Sequence, residues 1–179
     1  VAPELPATTL TPSCYWSMFD GCTSLIAAPE LPATTLADSC YGSMFQSCTS
    51  LTTAPELPAT TLKIYCYYQM FYKCIKLNSI TMLATDISAS GCLSNWVNGV
   101  ASTGTFVKAS SMKSLPTGTS GIPKGWTVID DLDYLTLTAL SDGEITITIP
   151  SDLDSSCATY LSYSKDKSVW EKTDIDGRY

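Results

Sequence analysis

The chain has 179 residues, 45% of them apolar and only 15% charged, with a formal net charge of −7 and no histidine. These values exclude a disordered chain and a surface that neutralises phosphates, so neither nucleic acid nor an anionic membrane is an expected partner. The lack of histidine removes the commonest general base and the usual partner of a nucleophilic serine or cysteine.

Internal repetition dominates the first half. The block Ala-Pro-Glu-Leu-Pro-Ala-Thr-Thr-Leu occurs at 2–10, 28–36 and 54–62. Each copy is followed by Cys-Tyr (Cys14, Cys40, Cys66), by Met-Phe (Met18, Met44, Met70), by a second cysteine (Cys22, Cys48, Cys74) and by a leucine (Leu25, Leu51, Leu77). Units 2–27 and 28–53 share 19 of 26 residues without an insertion, which rules out coincidence. A fourth unit, 80–105, keeps the apolar phase with little identity, and 80–129 is expected to be the C-terminal cap of the array. No apolar run reaches the ~18 residues of a membrane span. The chain opens on Val1 beside a recurring motif, with no signal peptide, so it is expected to be a piece of a longer or processed protein.

Within a unit, 25–28 and 51–54 read as short strands. Pro55 and Pro58 would stop the second, because proline brings no N–H to a ladder. The stretch 38–47 reads as a helix. Cys40, Met44, Phe45 and Cys48 lie at i, i+4, i+5 and i+8 and form one apolar stripe, with Asp38 or Ser39 as the cap. Stacked rungs of this kind predict an α/β repeat solenoid over 1–129, with a parallel sheet on one face and short helices on the other. After the Gly/Pro-rich stretch 116–125 the period becomes two. Segments 134–140 and 144–149 alternate and are joined through Asp142-Gly143, the signature of a hairpin, and 160–164 with 169–173 reads as a second one. Residues 130–179 are therefore expected to form a small antiparallel β-sandwich-like module that need not be complete at Tyr179.

The core Cys-Tyr-x-x-Met-Phe-x-x-Cys-x-x-Leu after Leu-Pro-Ala-Thr-Thr-Leu resembles the BspA-like leucine-rich-repeat proteins of bacterial surfaces. The stretches 86–92, 95–96, 104–106 and 121–128 resemble the end-cap of that group. The resemblance covers roughly 1–129, with a repeat longer than the family's usual one. It implies a curved right-handed leucine-rich-repeat superhelix, an extracellular location at the bacterial cell surface and a role in adhesion or binding. No signal or anchor segment in these residues speaks for that location, which rests on the resemblance alone.

Candidate chemistry is sparse. Seven of the eight cysteines fall in two registers, Cys14/Cys40/Cys66/Cys92 and Cys22/Cys48/Cys74. Reduced core columns are the favoured reading, with disulfides second and metal last, since metal ligands converge at shorter spacing. Cys157 has no partner in its module and reads as a free thiol. Glu4, Glu30 and Glu56 recur at one repeat position, which marks them as solvated or capping decoration rather than a catalytic carboxylate pair. The Asp130, Asp131 and Asp133 cluster lacks the oxygen ligands of a calcium loop and reads as a solvated linker. Residues 164–170 look like a shortened Asp-box, a structural turn. No catalytic residue, metal or cofactor is expected.

The positions that differ between repeats are the ones free to serve function. Trp16, Gly42 and Tyr68 occupy one such position, and Asp20, Gln46 and Tyr72 another. The third unit adds Tyr65, Tyr68 and Tyr72 to the common Tyr67, and a tyrosine cluster suits an interface. Thr52 and Asn78 are expected on the open sheet face. The expected partner is an extracellular protein or glycan, bound without catalysis. The alternatives are a structural spacer in a longer surface protein, or an accessory region of a carbohydrate-active enzyme.

Overall fold

The computed structural model describes residues 2–112 and 114–131, together with the backbone of 136–139 and 145–148. The chain divides into two compact units, Val1–Leu132 and Asp133–Tyr179.

The first unit is a stack of 26-residue coils whose backbones run parallel. Thr9 bridges Thr35, Ala27 bridges Thr53, and Thr53 bridges Ser79. The last of these positions opens strand β1 (Ser79–Met82), which pairs with β2 (Thr105–Ala109), which in turn pairs with β3 (Thr127–Asp131), all parallel. Proline explains why the earlier coils show single bridges where strands are expected at 25–28 and 51–54. Pro29 and Pro55 stand two residues past Ala27 and Thr53 and have no N–H to continue a ladder. In the fourth coil Ile80-Thr81-Met82 replaces Ala-Pro-Glu, and the ladder forms there.

The expected α/β leucine-rich-repeat solenoid is overturned. No helix occurs among the described residues, and regular sheet in this unit is confined to β1–β2–β3. The stretch expected as a helix, 38–47, is a ribbon of successive turns. Ser39, Ser43 and Ser47 have φ of 57°, 52° and 57°, a left-handed residue every fourth position, which an α-helix does not tolerate. The same spacing appears at Ser13, Ser17 and Gly21, at Tyr65, Gln69 and Lys73, and at Gly91, Asn95 and Gly99.

This alternation sends successive N–H groups in two directions. Cys40, Gly42, Met44 and Gln46 donate three residues back, to Ala37, Ser39, Tyr41 and Ser43, each closing a turn. The residues between them donate to the next coil. Tyr41 N reaches Cys66 O at 3.0 Å, Ser43 N reaches Tyr68 O at 2.7 Å, and Phe45 N reaches Met70 O at 2.9 Å. Asp38 is no helix cap, since its Oδ1 accepts from Ile64 N in the following coil.

The ribbon turns side chains inward in pairs, and equivalent pairs stack from coil to coil. Tyr15, Tyr41, Tyr67 and Trp96 form one aromatic column with centroids 5.8, 6.1 and 6.3 Å apart. Phe19, Phe45 and Phe71 form a second, at 5.5 and 5.7 Å, which also meets Trp96. Each such contact adds about 0.5–1.5 kcal/mol beyond the apolar area it buries. Trp96 closes both columns, packs edge-on against Phe106, and donates Nε1–H to Gly121 O. Leu51, Leu57 and Leu77 fill the rest of the core and are fully buried.

In the second unit, β4 (Thr136–Ala139) pairs antiparallel with β5 (Ile145–Thr148), Thr136 opposite Thr148. The expected hairpin at 160–173, the Asp-box-like turn, Cys157 and Asp133 lie outside the described residues. No helix of the described residues is long and apolar enough to cross a membrane.

Gly91 tests the ribbon geometry. Its φ is +64°, and a Cβ there would fall 2.2 Å from Cε1 of Tyr65. Gly91→Ala should lower folding stability by roughly 2 kcal/mol, of which about 1–2 is the left-handed backbone. Ser90→Ala, at an exposed neighbour, should be near neutral. A urea midpoint for Gly91→Ala equal to that of the parent would contradict the left-handed turn.

Candidate functional site

The side chains that the ribbon turns outward are those that vary between repeats, and on one line they build an aromatic strip. Trp16 leans across the second coil onto Gly42, where an added Cβ would lie 2.0 Å from its Cζ3. The absence of a side chain at Gly42 lets the indole reach the third coil. There it stacks on Tyr68, with centroids 6.0 Å apart and planes 12° apart. Tyr65 meets Tyr68 edge to face at 5.7 Å and lies over the bare backbone of Gly91 in the fourth coil. Trp16 and Tyr65 are 43% and 44% exposed, and Tyr68 is half-buried, so the strip is open to solvent while its rings hold one another in place.

The expected site residues separate on this map. Tyr65 and Tyr68 come together. Tyr72 stands apart, half-buried, with Lys73 Nζ 5.2 Å above its ring. Tyr67 is corrected: it is 1% exposed, stacked between Tyr41 and Trp96, and belongs to the core rather than to any contact surface. Burial holds its hydroxyl protonated well above the ordinary tyrosine range. Thr52 and Asn78 are exposed beside the column of parallel bridges, joined by Asn78 N to Thr52 O at 2.9 Å, and lie in a different part of the coil from the strip. Trp16 is the residue that a search restricted to the third unit overlooks. Its signal was the glycine at position 42 between two aromatics one repeat to either side.

The cysteines line the core. All seven described are free thiols, five buried and two, Cys14 and Cys22, exposed in the first coil. Cys48 and Cys74 donate weak S–H bonds to Phe19 O and Phe45 O of the preceding coil, at 3.1 and 2.9 Å. Desolvation raises the thiols from their ordinary 9.0 to about 11 at Cys40 and Cys48 and to about 12 at Cys66 and Cys74. Such thiols are poor nucleophiles and poor metal ligands. Among the described residues no three His, Cys, Asp or Glu side chains gather as a metal site. Asp130 pairs with Lys108 at the end of β3, and Glu4, Glu30 and Glu56 are exposed beside open grooves floored by prolines.

No protein-family model matches the chain, and no curated protein or solved structure matches it.

The thiol environment gives a pH dependence with a definite sign. A folded-state pKa raised above 9.0 means that the stabilising contribution is complete below about pH 9 and is lost as pH rises toward 11–12. Urea unfolding at successive pH values should therefore show stability falling above pH 9. At pH 8, iodoacetamide should label Cys14 and Cys22 in the folded chain and reach Cys40, Cys48, Cys66 and Cys74 only after denaturation. Uniform labelling of the folded chain would contradict the buried columns.

Proposed function

We propose that the chain is a non-catalytic binding module that recognises an extracellular protein or glycan through the aromatic strip of Trp16, Tyr68 and Tyr65. The single observation that carries this reading is an exposed run of aromatic rings crossing four coils, with glycine at both places where a Cβ would break it. Such rings offer a large area at low ordering cost, because they are fixed before a partner arrives. Aromatic residues of this kind supply much of the energy at interfaces where they are prearranged. The absence of histidine and the protonated thiols favour binding over catalysis. The cell-surface setting comes only from the resemblance of the repeat sequence.

The test is a screen of the purified chain against immobilised extracellular-matrix proteins and a glycan array at two salt concentrations. A saturable ligand is expected, with affinity little changed by salt because the strip carries no charge. The variant Trp16→Ala/Tyr65→Ala/Tyr68→Ala should weaken that binding at least tenfold, about 1.4 kcal/mol or more. Unchanged affinity in a folded triple variant, or no saturable ligand for the folded parent, would count against the proposal and favour a spacer.

A further inference from the structure

We infer that the ligand is a neutral polysaccharide chain laid along the rings of Trp16, Tyr68 and Tyr65, an assignment that rests on the strip being the binding surface. Both ends of the strip are seated inside the stack, Trp16 over Gly42 and Tyr65 over Gly91, so its placement does not depend on what adjoins the first coil. The field around it is uncharged. Positions 13, 16 and 17 and their equivalents in the next three coils hold only Ser, Gly, Gln, Asn, Tyr and Trp, in a chain whose formal net charge is −7. The charges bordering that field are engaged within the protein. Asp38 Oδ1 accepts from Ile64 N at 3.2 Å, Asp20 Oδ2 accepts from Gln46 Nε2 at 3.3 Å, and Lys73 Nζ lies 5.2 Å above the Tyr72 ring. A charged glycan finds no counter-charge here. Protein contact surfaces are enriched in arginine and matched by charge, and this face offers neither.

The polar groups beside the rings are of the kind that hydroxyls need. Gln69 follows Tyr68 in the ribbon, and its N–H donates to Ser94 O at 3.0 Å, which brings Asn95 alongside in the fourth coil. Both residues are half-buried, and among the described residues their side-chain amides have no hydrogen-bond partner. An amide both donates and accepts, as a sugar hydroxyl does. The C–H face of a sugar ring packs against the electron-rich face of an aromatic one. Tyr65 and Gln69 hold φ of 51° and 49° at positions where the first two coils carry serine. Long side chains gain nothing from a left-handed backbone, and recognition accounts for their presence there. Rings in line at 6.0 and 5.7 Å extend beyond a single sugar unit, so the ligand is a chain.

The experiment is a calorimetric titration of the purified chain with laminarin, mannan and xyloglucan as neutral probes, heparin and polygalacturonate as charged probes, and fibronectin and collagen as protein probes. NMR follows the Trp16 indole N–H in each titration. Saturable binding of a neutral probe is expected, with the Trp16 signal shifting and the Kd unchanged by salt. The variant Gln69→Gly/Asn95→Gly removes both amides and suits the left-handed backbone. It should weaken that binding roughly tenfold while Cys40 and Cys66 stay as protected from iodoacetamide as in the parent. Full affinity in the folded variant would overturn the assignment. Binding of a charged or protein probe alone, with the Trp16 signal shifting, would overturn the polysaccharide and leave the strip standing as the binding surface. Neutral-probe binding that leaves the Trp16 signal unmoved, or no binding by any probe, would overturn both.

Discussion

One backbone constraint organises the coil stack: a left-handed residue at every fourth position of the turn ribbon. Nine of these positions carry a side chain, and each costs on the order of 1–2 kcal/mol against a right-handed backbone. The return is a division of the hydrogen bonds. One N–H closes a turn within its coil and the next crosses to the neighbouring coil, so the buried backbone is satisfied without a helix. The same rhythm turns two residues inward and two outward, which places Cys40 with Tyr41 and Met44 with Phe45 in the core. Exact repetition of these pairs then brings like rings over like rings at 5.5–6.1 Å.

Structural and recognition roles are separated by the same rhythm. Inward pairs are held constant by the columns they join, and those columns end on Trp96, whose indole faces both and is held by Gly121 O. Outward residues lie outside those columns. They tolerate Trp16, Gly42 and Tyr68 at one position, and that variation makes the strip. Thiols suit the inward columns because they are small, apolar and able to give a weak hydrogen bond to a carbonyl that already accepts from the backbone, as Phe19 O does from Cys22 N.

Much of this was legible in the sequence, and the misses have physical causes. The 26-residue period, the alternating segments that become β4 and β5, and the inward direction of the Cys, Met and Phe positions can all be read from spacing. The backbone carrying those positions could not be read from the apolar residues alone. A pattern at i, i+4, i+5 and i+8 fits a period of four as well as 3.6 over nine residues. The discriminating signal was on the other side of the ribbon: Gly91, Asn95 and Gly99 in the fourth unit are residue types that accept a positive φ, and they align with Ser39, Ser43 and Ser47. The strands expected at 25–28 and 51–54 failed because the prolines after them act on the bridging segment itself. Tyr67 was separable from Tyr65 and Tyr68 by its recurrence as Tyr15 and Tyr41, a mark of the core. The strip stayed hidden because Trp16 and Tyr68 are two units apart in sequence and meet only across the missing side chain of Gly42.

The handover of alternate N–H groups between coils is the central claim, and scalar couplings across hydrogen bonds test it most directly. In an isotope-labelled chain, NMR should detect couplings from the amide nitrogens of Tyr41, Ser43 and Phe45 to the carbonyl carbons of Cys66, Tyr68 and Met70. Couplings from those amides to carbonyls four residues earlier in the same coil would show a helix and contradict the account.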